Sequence, residues 1–133
     1  MKETVTIIHH LDLESSEVNF RSDGIVNLHI KPNHSLSVGD TKKMIEYIGK
    51  KGNGKKLLLL ITTGKYALAD KDAREFGASE AGNEYTLAAA IVVKSLAQKL
   101  LGNAYIKVNK PIAPNTLFTD EKKAIDWLKT FIK

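Results

Sequence analysis

A chain of 133 residues, 43% of them hydrophobic and 26% charged, is one domain by length and can bury roughly 70% of its unfolded surface without staples. It has no cysteine, which excludes disulfides, thiolate metal sites and cysteine nucleophiles together. The net charge of +5 raises nucleic acid, but the cluster Lys42, Lys43, Lys50, Lys51, Lys55 and Lys56 holds one aromatic, Tyr47, and arginine occurs only at Arg21 and Arg74. A solvated lysine-rich face accounts for that pattern better than a base-reading surface, so no nucleic-acid partner is expected.

The opening "MKETVTIIHHLDL" lacks the apolar core and cleavage site of a leader, and no stretch approaches the roughly 20 apolar residues of a membrane span. A cytoplasmic protein is the resulting expectation. Thr4–Leu11 and Glu17–Ile30 alternate as strands, and Ser22-Asp23-Gly24 is a turn signal between Phe20 and Ile25, so a β-meander begins the chain. After Pro32 the period lengthens. Ser37 caps a helix over 37–50 in which Thr41, Met44, Ile45 and Ile48 share a face and Gly49 is the stop.

"KLLLLIT" (Lys56–Thr62) is a continuous apolar run typical of a strand covered on both faces, the centre of a partly parallel sheet. A short helix is expected over Ala69–Phe76, before the breaker-rich "GASEAGNE". Propensity alone makes "YTLAAAIVVKSLAQKLLG" one helix. The β-branched block Ile91-Val92-Val93, followed by Ser95 as a cap, favours a strand to about Val93 and a helix over Ser95–Leu101. Gly102–Pro114 reads as a connection with a short edge strand at Tyr105–Val108. Thr119 then caps a last helix, whose apolar stripe is Ala124, Ile125, Leu128, Phe131 and Ile132 beside Trp127. No repeat or linker interrupts the order, so 1–133 is a single α/β layer structure.

"GKKGNGKK" (Gly49–Lys56) is one residue short of the phosphate loop GxxxxGK[ST], with Lys56 where a hydroxyl belongs. A phosphate loop leads from a strand into a helix N-terminus, whereas here a helix leads into a strand, so no helix dipole faces a phosphate. Gly49, Gly52 and Gly54 are therefore a helix stop and a tight turn. The better binding candidate is the carboxyl end of the central strand, where open α/β sheets place their ligands. There Thr62, Thr63, Gly64 and Lys65 could take an anion, with Asp70 and Asp72 at the next helix start; the plainer alternative is a strand end and a helix cap.

His9 and His10 are adjacent on a strand and point to opposite faces, leaving at most one near His29, and His34 lies apart. With no carboxylate placed beside them they make a poor metal site, and neither metal nor cofactor is expected. Ser79 and Ser95 lack both a G-x-S-x-G elbow and a nearby histidine, and the Asp70 and Asp72 pair does not suggest acid–base chemistry. No enzyme is implied.

The order of elements, with "AIVVKSLAQKLLGNAYIKV" (Ala90–Val108) and "PNTLFTDEKKAIDWL" (Pro114–Leu128), resembles the STAS fold of anti-sigma-factor antagonists, specifically the SpoIIAA-like or STAS/SEC14 group. The resemblance implies an α/β domain with a mixed sheet of four to six strands, an N-terminal meander, a parallel core and about four helices. It also implies a non-catalytic regulatory module that binds another protein or a second copy of itself as a dimer; the alternative is a carrier of a small apolar molecule or lipid. The Asp-Ser-Ser/Thr-Gly phosphorylation signature of true antagonists falls on Asp70-Lys71-Asp72-Ala73, which keeps only the first acid. A phosphorylation switch is accordingly not expected.

Overall fold

Three antiparallel strands open the computed structural model, which describes residues 4–132: β1 (Ile7–Asp12), β2 (Ser16–Arg21) and β3 (Ile25–Ile30). The β2–β3 turn is held by Asp23, whose carboxylate pairs with Arg21 at 2.7 Å and accepts the Ile25 amide at 3.2 Å, and by Gly24 at φ +87°, a conformation glycine adopts without strain. A two-residue strand β4 (Ser35–Leu36) precedes helix α1 (Val38–Lys51). Ser37 caps α1 as expected, its Oγ accepting the Asp40 amide at 3.1 Å, which contributes about 1 kcal/mol.

Gly49 does not stop α1. The helix runs on to Lys51 and ends at Gly52, and the turn beyond it contains Asn53 and Gly54 at positive φ. Gly49 instead makes room for a neighbour: a Cβ there would lie 2.3 Å from the ring of Tyr85.

β5 (Leu57–Thr63) lies at the centre of the sheet, parallel to β3 on one side and to β7 (Thr86–Val92) on the other. Between them come β6 (Leu68–Ala69), which pairs with β4, helix α2 (Lys71–Ala78) and a 3-10 turn at Ala81–Asn83. The ambiguous alanine-rich segment divides into β7 and helix α3 (Leu96–Ala104), and Ser95 caps the helix by accepting the Gln98 amide at 3.1 Å.

The edge strand expected at Tyr105–Val108 is not there. Tyr105–Asn109 prolongs α3 as a π-helical turn, and the sheet edge beside β7 belongs to β8 (Asn115–Phe118). Helix α4 (Glu121–Lys129) is capped by Asp120, which accepts the Lys122 amide at 2.9 Å, and not by Thr119. The mixed sheet has the order β1-β2-β3-β5-β7-β8, antiparallel at its start and parallel in its core, with four α-helices, as the fold class required.

The pleat sends alternate residues to two cores. On one face Val18, Phe20, Val26, Leu28, Leu59 and Ala89 pack with Met44 and Ile48 of α1. On the other Ile25, Leu58, Leu60, Ala88, Ala90 and Val92 pack with Ala124 and Leu128 of α4. Burial of each large side chain such as Ile48 or Leu128 contributes about 1.5–3 kcal/mol. α4 covers the β5, β7 and β8 part of its face and Ile25 at the start of β3, so the outer part of that face, on β1, β2 and the rest of β3, is left open.

Candidate functional site

The residues singled out at the end of β5 do not converge. Thr62 and Thr63 are consecutive in a strand and so project to opposite faces, and both are buried. The Thr63 hydroxyl lies 3.0 Å from the Val92 carbonyl and 2.9 Å from Oε1 of Gln98. Gly64 is packed against Pro32, with no space for a side chain. Lys65 is exposed and lies over the Tyr66 ring. Asp70 sits at the N-cap of α2 without capping it and accepts a hydrogen bond from Ser35, while Asp72 is exposed in the first turn. Thr63, Gly64 and Asp70 tie the loop down, whereas Lys65 and Asp72 face solvent and Thr62 lies on the other face of the sheet.

The main fastener is Gln98, only 4% exposed. Its amide nitrogen donates to the carbonyls of Gly64 at 2.9 Å and Ala67 at 3.0 Å, and its oxygen accepts from Thr63 and, at 2.8 Å, from the Lys94 amide. The loop that follows β5 is thereby pinned to α3.

Behind this loop, between the α1 face of the sheet and helices α1, α2 and α3, lies an open-mouthed apolar cavity of about 150 Å³. Leu59, Ile61 and Ile91 form its floor, Met44 and Leu101 its sides, and the small residues Ala73 and Gly77 of α2 leave its space unfilled. Its polar residues mostly have partners of their own: Thr41 donates to the Ser37 carbonyl at 2.8 Å, and Asn83 donates to the carbonyls of Gly77 and Ser79. Arg74 and Tyr105 also line it. The Arg74 side chain donates to the Ala69 carbonyl, and burial pushes the Tyr105 phenol up to about 12. Sequence reasoning missed Gln98, Arg74 and Tyr105 as site residues.

The open half of the other face carries a row of polar side chains. His10 Nδ1 is 2.6 Å from Asn19 Oδ1, Asn19 Nδ2 is 3.3 Å from Asn27 Oδ1, Asn27 Nδ2 is 3.0 Å from Thr62 Oγ1, and Thr62 Oγ1 is 2.8 Å from His29 Nδ1. His9 lies on the opposite face, edge-on to Phe20. The β1–β2 register sets Asp12 across from Glu17, so His10, Asp12 and Glu17 bring donor atoms within 4.8 Å of one another, the carboxylates that no sequence spacing had placed beside a histidine. The positive charge at that point is supplied by Lys31, whose ammonium is 2.7 Å from Asp12 and, by its hydrogen bond and charge, holds that carboxyl below its usual range.

Among the described residues no helix is long and apolar enough to cross a membrane. No curated protein matches the chain. Among solved structures it is similar to an uncharacterized protein of the DUF3478 family, with a SpoIIAA-like fold, from Shewanella loihica PV-4. The two are 16% identical with a TM-score of 0.56, over 96% of this chain and 98% of that one. At this identity the likeness shows the fold, which is STAS/SpoIIAA-like. The family model for a domain of unknown function, DUF7793, matches residues 19–132, and the chain belongs to that family.

Proposed function

We propose that this domain works by binding and not by catalysis, and that its ligand is a small apolar molecule held between the sheet and helices α1, α2 and α3. The observation that carries this reading is the cavity itself: about 150 Å³, floored by aliphatic side chains and left open by alanine and glycine on α2. An enclosed apolar cavity of about this volume takes up a benzene-sized guest, and the open mouth here gives such a guest a way in. Tight packing is the norm in protein interiors, and a methylene-sized void already costs stability, so a gap of this size needs a reason. The polar loop at Thr62–Lys65 supports the absence of catalysis, since the Thr63 hydroxyl and the Gly64 carbonyl are engaged with Gln98 of α3 and the Thr62 hydroxyl with Asn27 and His29 on the other face.

The test is a methyl NMR titration of the intact domain with toluene. Shifts concentrated on Ile61, Ile91 and Leu101 are expected, and they should vanish in Ala73→Leu, which places three more carbons in the space. Unmoved methyl signals at millimolar toluene in the folded wild type would remove the reading.

Contact with a protein partner or a second copy is a further reading, favoured by the exposed apolar residues Leu96 and Leu100 on α3 and Tyr66 in the loop pinned to it, which are 72%, 61% and 69% exposed. Sedimentation velocity across a concentration series distinguishes a self-associating domain from one that stays monomeric.

A further inference from the structure

We infer that the cavity selects a carboxylic acid: an anion with a compact aromatic or branched aliphatic body, its carboxylate received by Arg74 and Tyr105. This rests on the cavity-binding reading above and adds the chemistry of the ligand's polar end.

Arg74 is the only Asp, Glu, Lys or Arg among the described residues that line the cavity. It is half-buried on α2, and among the described residues no carboxylate lies within ion-pair distance of it. A guanidinium carries five N–H donors in a planar fork, and the hydrogen bond formed here within the protein goes to the Ala69 carbonyl. A partly desolvated cation without an anion is unfavourable, and the fork's geometry matches a carboxylate in two parallel hydrogen bonds.

Tyr105 supplies the second donor. Its hydroxyl lies 3.3 Å from the position a Cβ on Gly77 would take, so it is packed beside α2 one helical turn from Arg74. It has no hydrogen-bond partner among the described residues, and it stays protonated, able to donate, at any physiological pH. Gly77 gains meaning from this arrangement. Glycine inside a helix is unfavourable by comparison with alanine, and here it gives the Tyr105 hydroxyl room to lie against α2 on the cavity wall that Arg74 also lines.

The apolar walls set the rest of the ligand. A volume of about 150 Å³ holds one six-membered ring, so benzoate and cyclohexanecarboxylate are suitable probes.

The experiment is isothermal titration of the intact domain with benzoate, cyclohexanecarboxylate, toluene and benzylamine, run in parallel on wild type, Arg74→Met, Arg74→Lys and Tyr105→Phe, with an amide NMR spectrum of each variant to confirm folding. The expected order is benzoate and cyclohexanecarboxylate above toluene, with no benzylamine binding. Arg74→Met should weaken benzoate about tenfold or more and leave toluene unchanged, as expected for loss of hydrogen bonds to a charged group. Arg74→Lys should fall between, since it keeps the charge and loses the fork, and Tyr105→Phe should weaken benzoate several-fold. Toluene bound with benzoate rejected, or benzoate affinity indifferent to Arg74, would overturn this inference while the cavity reading stands. If no compound binds folded wild type, both fall.

Discussion

Replacing Gln98 with leucine tests whether the loop after β5 is fastened in the way its hydrogen bonds indicate. The side chain is 4% exposed and takes part in four hydrogen bonds. Two of its partners have an alternative: the single Thr63 hydroxyl proton can turn wholly to the Val92 carbonyl, and the Gly64 carbonyl still accepts from the Ala67 amide at 3.0 Å. The Lys94 amide and the Ala67 carbonyl are the groups left without a partner. A buried polar group deprived of its hydrogen bond costs about 1–3 kcal/mol, so two of them cost about 2–6, and leucine's similar volume limits any cavity term. A loss of about 3 kcal/mol corresponds to a drop of about 10 °C in melting temperature for a domain of this length. Urea and thermal unfolding followed by circular dichroism measure it, and hydrogen exchange should show faster opening confined to Gly64–Ala69. A loss below about 1 kcal/mol would mean that water serves these groups equally well and that Gln98 is not the fastener.

Other expectations follow from separate parts of the molecule. Gly49→Ala should destabilise the domain by about 1–3 kcal/mol, because its Cβ meets the Tyr85 ring at 2.3 Å, and in a double-mutant cycle Tyr85→Ala should relieve most of that loss. At Asp40 burial works against ionisation, yet the two hydrogen bonds from Ser15, at 2.6 and 3.0 Å, with Lys43 and Lys31 nearby, outweigh it and hold the carboxyl below its usual range. Its contribution is therefore complete above the unfolded value near 4 and is lost as pH falls through the lower folded value, so Asp40→Asn should flatten the acid limb of the stability curve. For Tyr105 the sign is reversed: the folded phenol keeps its proton to about 12, the unfolded one loses it near 10, and stability drains away between those values. Phenolate absorbance during an alkaline titration should show a late component that disappears in Tyr105→Phe.

Much of the fold was legible because each long element has a dominant period: two in the meander, near four in α1 and α4, and none in the doubly covered β5. Short segments misled. Tyr105–Val108 has four residues, and its alternation serves equally as a helical turn, in which Tyr105 reaches the cavity while Val108 is 76% exposed. β8 is equally short, and its edge position depends on where β7 ends, which no local pattern records. Gly49 reads as a stop because glycine usually is one, whereas here the contact with Tyr85, 36 residues on, decides.

The site was harder to read than the fold. Thr62 and Thr63 were joined into one surface although the pleat separates neighbours, and the cavity is empty space bounded by several elements, which has no sequence signature of its own. The signal that was present is the run of small residues from Ala67 through Ala69, Ala73 and Gly77, together with one of only two arginines in a lysine-rich chain.

The polar row on the open sheet face has a sense of direction. Asn27 Nδ2 can only donate to Thr62, whose hydroxyl, able to donate once and accept twice, is also within hydrogen-bond distance of His29 Nδ1. At the other end Asn19 uses its nitrogen toward Asn27 and offers its oxygen to His10, which must then hold a proton on Nδ1. Three hydrogen bonds, from His10 through Asn19 and Asn27 to Thr62, run head to tail across four strands, and the imidazole that starts the run is fixed in one tautomer. A sheet, whose strand dipoles nearly cancel, thus acquires from its side chains a polarity along the direction that its backbone leaves neutral.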